Sequence, residues 1–96
     1  MNTKYELVVV IDAHMAQSQK DDVLKQSTDA VVKGGGKVIN SQVWLEKHKF
    51  TFILQKKTDG TYYLINFESN GAGIDKIKEN LRLNESILRY AIFRTN

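Results

Sequence analysis

The chain reads as an α+β fold of order β-α-β-β-α-β, with one four-stranded antiparallel sheet carrying both helices on a single face. Three observations predict it. Two segments repeat apolar residues at helical spacing. The segments around them are rich in β-branched and aromatic residues over strand-like lengths. No proline, repeat or low-complexity tract interrupts the succession. The 96 residues suffice for one domain, 1–96, with a single core.

Tyr5 to Ile11 (YELVVVI) is β-branched and too short for a globular helix, so it is a strand. Tyr5, Leu7, Val9 and Ile11 face one way; Glu6, Val8 and Val10 face the other. Asp12 to Gln17 is a loop, and Ser18 is the expected cap of the first helix, accepting from the backbone N–H of Asp21. Val23, Leu24, Ser27, Ala30 and Val31 then recur at helical spacing. Gly34-Gly35-Gly36 ends the helix; phosphate loops precede a helix, whereas this triplet follows one.

Val38 to Lys57 is too long for one regular strand. Ile39, Val43 and Leu45 set an apolar face on odd numbers, and Phe50, Phe52 and Leu54 set one on even numbers. A strand changes parity only by gaining a residue, which predicts a bulge between Leu45 and Lys49 that splays Lys47, His48 and Lys49 off the sheet margin. Thr58-Asp59-Gly60 is the expected hairpin turn. Tyr63, Ile65 and Phe67 follow inward, with Tyr62, Leu64 and Asn66 outward. Ser69 to Gly73 reads as a loop, Ile74, Ile77 and Leu81 mark the second helix, and Ile87 to Arg94 is the last strand with Tyr90 and Ile92 inward. This order is that of the ferredoxin-like fold.

Charge is concentrated in one place. Residues 47–57 hold four lysines and no acid, while the net charge of the whole chain is only +3. A uniformly basic coat is excluded, but a local phosphate-contacting patch is not. Lysines at Lys56 and Lys57 also suit the ordinary task of solubilising a hairpin tip. On the face opposite the helices, Val8, Val10, Ile53, Tyr62, Leu64, Ala91 and Phe93 form a patch too apolar for water, which predicts a protein partner or a second copy.

Catalytic chemistry is not legible. Without cysteine there is no disulfide, thiolate metal site or cysteine nucleophile. His14 and His48 stand far apart with no carboxylate cluster at metal-ligand spacing, and no serine has a histidine placed to activate it. The expectation is a non-enzyme with no metal and no cofactor. Met1-Asn2-Thr3-Lys4 leads straight into a strand pattern with no signal peptide ahead of it, and no run approaches the roughly 18 apolar residues of a membrane span, so a cytoplasmic location is expected. The third strand, Gly60 to Phe67, lacks the basic-Gly-aromatic opening of RNA-recognition modules, and Ile11-Asp12-Ala13-His14 lacks the glycine-bracketed loop of acylphosphatases.

Several stretches together resemble the bacterial small-subunit ribosomal protein six family. They are Tyr5-Glu6, Gly35-Gly36-Lys37-Val38, Trp44, the run Lys47-His48-Lys49-Phe50-Thr51-Phe52, Gly60-Thr61-Tyr62-Tyr63-Leu64 with Asn66-Phe67-Glu68, and Leu81 through Tyr90. The resemblance implies a non-enzymatic, ribosome-bound component that binds the central domain of small-subunit ribosomal RNA together with small-subunit ribosomal protein eighteen. It implies RNA contacts at Lys47, His48 and Lys49, with Lys56, Arg89, Lys4 and Tyr5 as further candidates, and a protein partner on the apolar face or a sheet edge. The chain departs from the family at Leu45-Glu46, where a glycine usually follows the tryptophan. It departs again at His48-Lys49 in place of paired arginines, at Phe52-Ile53 in place of tyrosine-proline, and at Asn96, where many members continue into a polar tail. Lysine or histidine for arginine gives up the bidentate fork on phosphate. The alternative reading is a ferredoxin-like homodimer that senses a small ligand; the ribosomal reading expects a monomer when isolated.

Overall fold

The computed structural model of the chain describes residues 3–54 and 57–95, with side chains described outside 45–54 and 57–58. Its elements are β1 (Thr3–Asp12), α1 (Gln17–Lys33), β2 (Lys37–Leu54), β3 (Lys57–Ser69), α2 (Gly71–Arg82) and β4 (Arg89–Arg94). The sheet order is β2-β3-β1-β4, and every neighbouring pair is antiparallel. This is the expected ferredoxin-like arrangement.

The core lies between the sheet and the helices. Alternate strand residues Leu7, Val9, Ile11, Tyr63, Ile65 and Phe67 pack against Val23, Ala30 and Val31 of α1 and Ile77 and Leu81 of α2. Both helices therefore cover the same face, as the period of two in β1 and β3 requires. Ser27 sits in this core with its hydroxyl donating to Val23 O at 2.8 Å, so its burial leaves no unpaired polar atom. The two helices meet where glycine is needed. A Cβ on Gly34 would lie 2.5 Å from Ile77 Cγ1, and one on Gly73 would lie 2.5 Å from Gly34 O. Gly35, at φ 87°, takes the left-handed turn that ends α1, which bears out the expected glycine cap.

Several sequence expectations are corrected. α1 begins at Gln17, with Ala16 rather than Ser18 at the cap. The side chain of Gln19 accepts from the Ala16 N–H (3.3 Å), and the Asp12 carboxylate accepts from the His14 N–H (3.0 Å) to shape the approach. α2 begins inside the expected loop, at Gly71, because Asn70 Oδ1 accepts from the Gly73 N–H at 2.8 Å and caps it. Asp59 and Gly60 are not the hairpin turn: they lie in β3, opposite Lys49 and His48, and the strands run on to a Leu54↔Lys57 pair. The physical reason is that β1 claims them. Asp12 pairs with Gly60, Ala13 N–H donates to Asp59 O (3.3 Å), and His14 Nε2 lies 3.5 Å from Asp59 Oδ2. Finally, Ile39 and Val43 are 48% and 49% exposed, and Val38 packs against the core instead. Ile39 is the residue skipped by the register shift between Val38 and Asn40, whereas Val43 does lie opposite Tyr63 on the helix side but on the outer strand, where the helices leave it uncovered.

The expected bulge between Leu45 and Lys49 is present as a register shift between Leu45 and His48, one of four along β2 and β3. The last strand starts at Arg89 rather than Ile87; Ile87 is nonetheless buried, in the turn that precedes it.

Candidate functional site

Residues directly opposite each other on antiparallel strands share a face, so the register lays out the side of the sheet that the helices leave bare. One row runs Gln42, Leu64, Val8, Ala91; the next holds Tyr62, Val10 and Arg89; a third runs Asn40, Asn66, Glu6, Phe93; the last is Lys37, Glu68, Lys4. The apolar expectation holds at its centre. Val10 is only 4% exposed although no helix covers it, because it lies between Tyr62 and Arg89, both long enough to shade a valine. Val8, Tyr62, Leu64 and Ala91 are half-buried, and Phe93 is exposed at the end of the patch. The Ile53 side chain lies outside the described residues.

Trp44 belongs to this face and was not among the residues assigned to it from sequence. Its ring stands edge-on to Tyr62 with centroids 6.1 Å apart, and it is 53% exposed. The signal was present in the sequence: with Ile39 and Val43 setting the helix side on odd numbers, even-numbered Trp44 falls on the opposite face. The patch is bounded below by polar groups: Asn66 Nδ2 donates to Asn40 Oδ1 at 2.7 Å, and Glu68 sits between Lys4 and Lys37 in the next row.

The cationic candidates do not form one cluster. Lys47, His48 and Lys49 lie on β2 at the hairpin end of the sheet, where His48 pairs with Gly60 and Gly60 with Asp12; their side chains lie outside the described set. Lys56 falls outside the described residues. Lys4 is exposed at the opposite end of β1, eight residues from Asp12. At strand rise that is about 27 Å. Tyr5 is half-buried on the helix side and stacks on Phe67 with centroids 5.5 Å apart. Arg89 is exposed near the hairpin end, but on the far edge strand, three strand positions from β2 and so about 14 Å across the sheet. The geometry thus yields a basic stretch on β2, a separate lysine pair at the other end of the open face, and arginines along β4.

Among the described residues, no group of three or more histidine or carboxylate side chains converges as a metal site. No helix is long and apolar enough to cross a membrane.

The family model of Ribosomal protein S6 matches residues 4–94, nearly the whole chain. The chain belongs to the ribosomal protein S6 family. The small ribosomal subunit protein bS6 of Micrococcus luteus is 37% identical over 90 residues, covering 94% of this chain and 88% of its own. That of Thermoanaerobacter pseudethanolicus is 24% identical over 92 residues, covering 96% of each chain. The crystal structure of 30S ribosomal protein S6 from Thermotoga maritima matches with a TM-score of 0.89 at 19% identity, covering 99% of this chain and 89% of that one. That likeness shows the fold, as does a weaker one to the C-terminal domain of the MgtC protein from Mycobacterium tuberculosis, with a TM-score of 0.63 at 7% identity. Within the S6 family fold, this chain carries its lysine run on β2, its apolar patch on the bare face and its arginines on β4. The S6 relatives are named for the ribosome and not for any reaction.

Proposed function

We propose that this protein is a structural component of the small ribosomal subunit, in the cytoplasm, that binds ribosomal RNA and a second ribosomal protein through different surfaces. The observation that carries this reading is the family match over residues 4–94. The RNA surface is the basic stretch at Lys47, His48 and Lys49 of β2, and the sequence adds a further lysine, Lys56, with no acid between them. Its chemistry is phosphate neutralisation with counterion release, which holds RNA without reading sequence. Lys4 and Tyr5 lie too far away to share that surface and form at most a separate contact.

The protein surface is the bare face from Trp44 and Tyr62 across Val10, Val8 and Ala91 to Phe93, and its partner is small-subunit ribosomal protein eighteen. Helices on one side only, with a half-buried apolar strip on the other, suit a platform whose second layer comes from another chain.

The test is salt-dependent association with small subunits. A Lys47→Glu/Lys49→Glu variant is expected to bind more weakly and to reduce the slope of log affinity against log salt by about 2. An unchanged slope in a folded variant removes these lysines from the RNA surface.

A further inference from the structure

The two edges of the sheet differ. Along β2 the ladder is broken by four register shifts, the kind of irregularity that keeps another strand from pairing. β4 carries no such guard: its six pairs with β1, from Tyr5↔Arg94 to Val10↔Arg89, run in one register. Thr95 N–H donates to Lys4 O at 3.0 Å in that same register. Antiparallel ladders alternate, so residues 89, 91 and 93 turn their backbone groups to β1, and Tyr90, Ile92 and Arg94 turn theirs outward. Nothing among the described residues pairs with that outer side.

We infer that the free edge of β4 accepts an extended, acidic segment of a partner protein as a fifth strand. Charge decides the occupant. From Ser86 to Thr95 the chain holds Arg89 and Arg94 and no acid, and both arginines are exposed. Two copies paired edge to edge would set four arginines along one seam, so like-charge repulsion disfavours self-association and favours carboxylates. A cleft of about 290 Å³ opens beside the start of the strand, lined by Leu81, Ile87, Leu88 and Tyr90 together with Arg82 and Arg89. Its lining is mostly apolar, with Arg82 and Arg89 as the charged residues at its border. The recognised segment carries carboxylates about five residues apart, to meet Arg89 and Arg94, with apolar residues between them on the side that extends Ala91 and Phe93. This inference does not depend on the bare face taking a partner: strand addition uses backbone groups, and the face uses side chains.

The experiment is a titration of the whole protein, followed by amide NMR, with the synthetic peptide Glu-Val-Thr-Val-Thr-Glu and its lysine-ended counterpart. Saturable shifts and slowed amide exchange at Tyr90, Ile92 and Arg94 are expected with the acidic peptide, and binding at least about tenfold weaker with the lysine-ended one. An Arg89→Glu/Arg94→Glu variant, altered only at exposed positions, is expected to reverse that preference. Equal binding of the two peptides, or no saturable shift up to about 1 mM, overturns the proposal. So does an oligouridylate that moves the same three amides while the acidic peptide does not, since the edge arginines would then belong to nucleic acid. Loss of partner binding in a Phe93→Ala variant that still takes the peptide separates the face from the edge.

Discussion

Two glycines of α2, two residues apart, are expected to respond to alanine with opposite signs. Gly73 faces α1: its added Cβ would lie 2.5 Å from Gly34 O and 2.7 Å from Ser69 Oγ. The first neighbour is backbone, at the glycine end of α1, and has no rotamer by which to retreat. Overpacking of this kind costs about 1–3 kcal/mol. Alanine recovers about 1 kcal/mol of helix propensity. Because the nearest contact is well below normal separation and rigid, the upper part of the range applies, and Gly73→Ala is expected to destabilise by about 1–2 kcal/mol. Gly71 has nothing within 4 Å of its added Cβ and no positive φ. Gly71→Ala is therefore expected to stabilise by about 0.4–1 kcal/mol, through the reduced freedom of the unfolded chain. Urea and thermal unfolding followed by far-ultraviolet circular dichroism read both. A chain of this size loses about 4–8 °C of melting temperature per kcal/mol, so the two variants fall on opposite sides of the parent. A Gly73→Ala protein as stable as the parent refutes the close packing of α1 on α2.

Further outcomes follow from the caps, the core and the bare face. Asn70→Ala is expected to lose about 1 kcal/mol of stability with the α2 cap, whereas Ser18→Ala, which makes no cap, changes it by less than about 0.5 kcal/mol. Equal losses in urea melts refute the assignment of the two helix starts. Leu7→Ala, which empties a fully buried position beneath the helices, is expected to lose about 2–5 kcal/mol. Phe93→Ala removes a ring that is 53% exposed and is expected to leave stability within about 0.5 kcal/mol of the parent. It is also expected to weaken binding of small-subunit ribosomal protein eighteen about tenfold. Unchanged affinity by calorimetry takes Phe93 out of the partner surface.

The elements and their inward residues were legible wherever the signal is local. Leu7, Val9 and Ile11 alternate, Val23, Ala30 and Val31 keep helical spacing, and all are buried as that spacing predicts. Legibility failed where a residue's state depends on a distant partner. Asp59-Gly60 has the composition of a turn but is held in the sheet by Asp12, Ala13 and His14, nearly fifty residues earlier. Ile39 and Val43 look like core residues, yet a register shift skips Ile39, and Val43, opposite Tyr63 on the outer strand, is left uncovered by the helices. Ser18 was the obvious cap by residue type, but Gln19 and Asp12 shape the start of the helix with bonds that composition does not rank.

For the candidate site the division is similar. The lysine run at Lys47–Lys49, the absence of cysteine and the resemblance to the S6 family are properties of residue order, and the family match bears out the last of these. Whether Lys4 stands beside Lys47, whether Trp44 joins Tyr62, and which backbone groups of β4 point outward are questions of register. Register is settled only when strands far apart in sequence pair, because each added or missing residue moves every later side chain to the other face. The chain by itself determined which residues are apolar, charged or turn-forming and hence the order of elements; the pairing of β1 with β3 and β4 decided which of those residues meet.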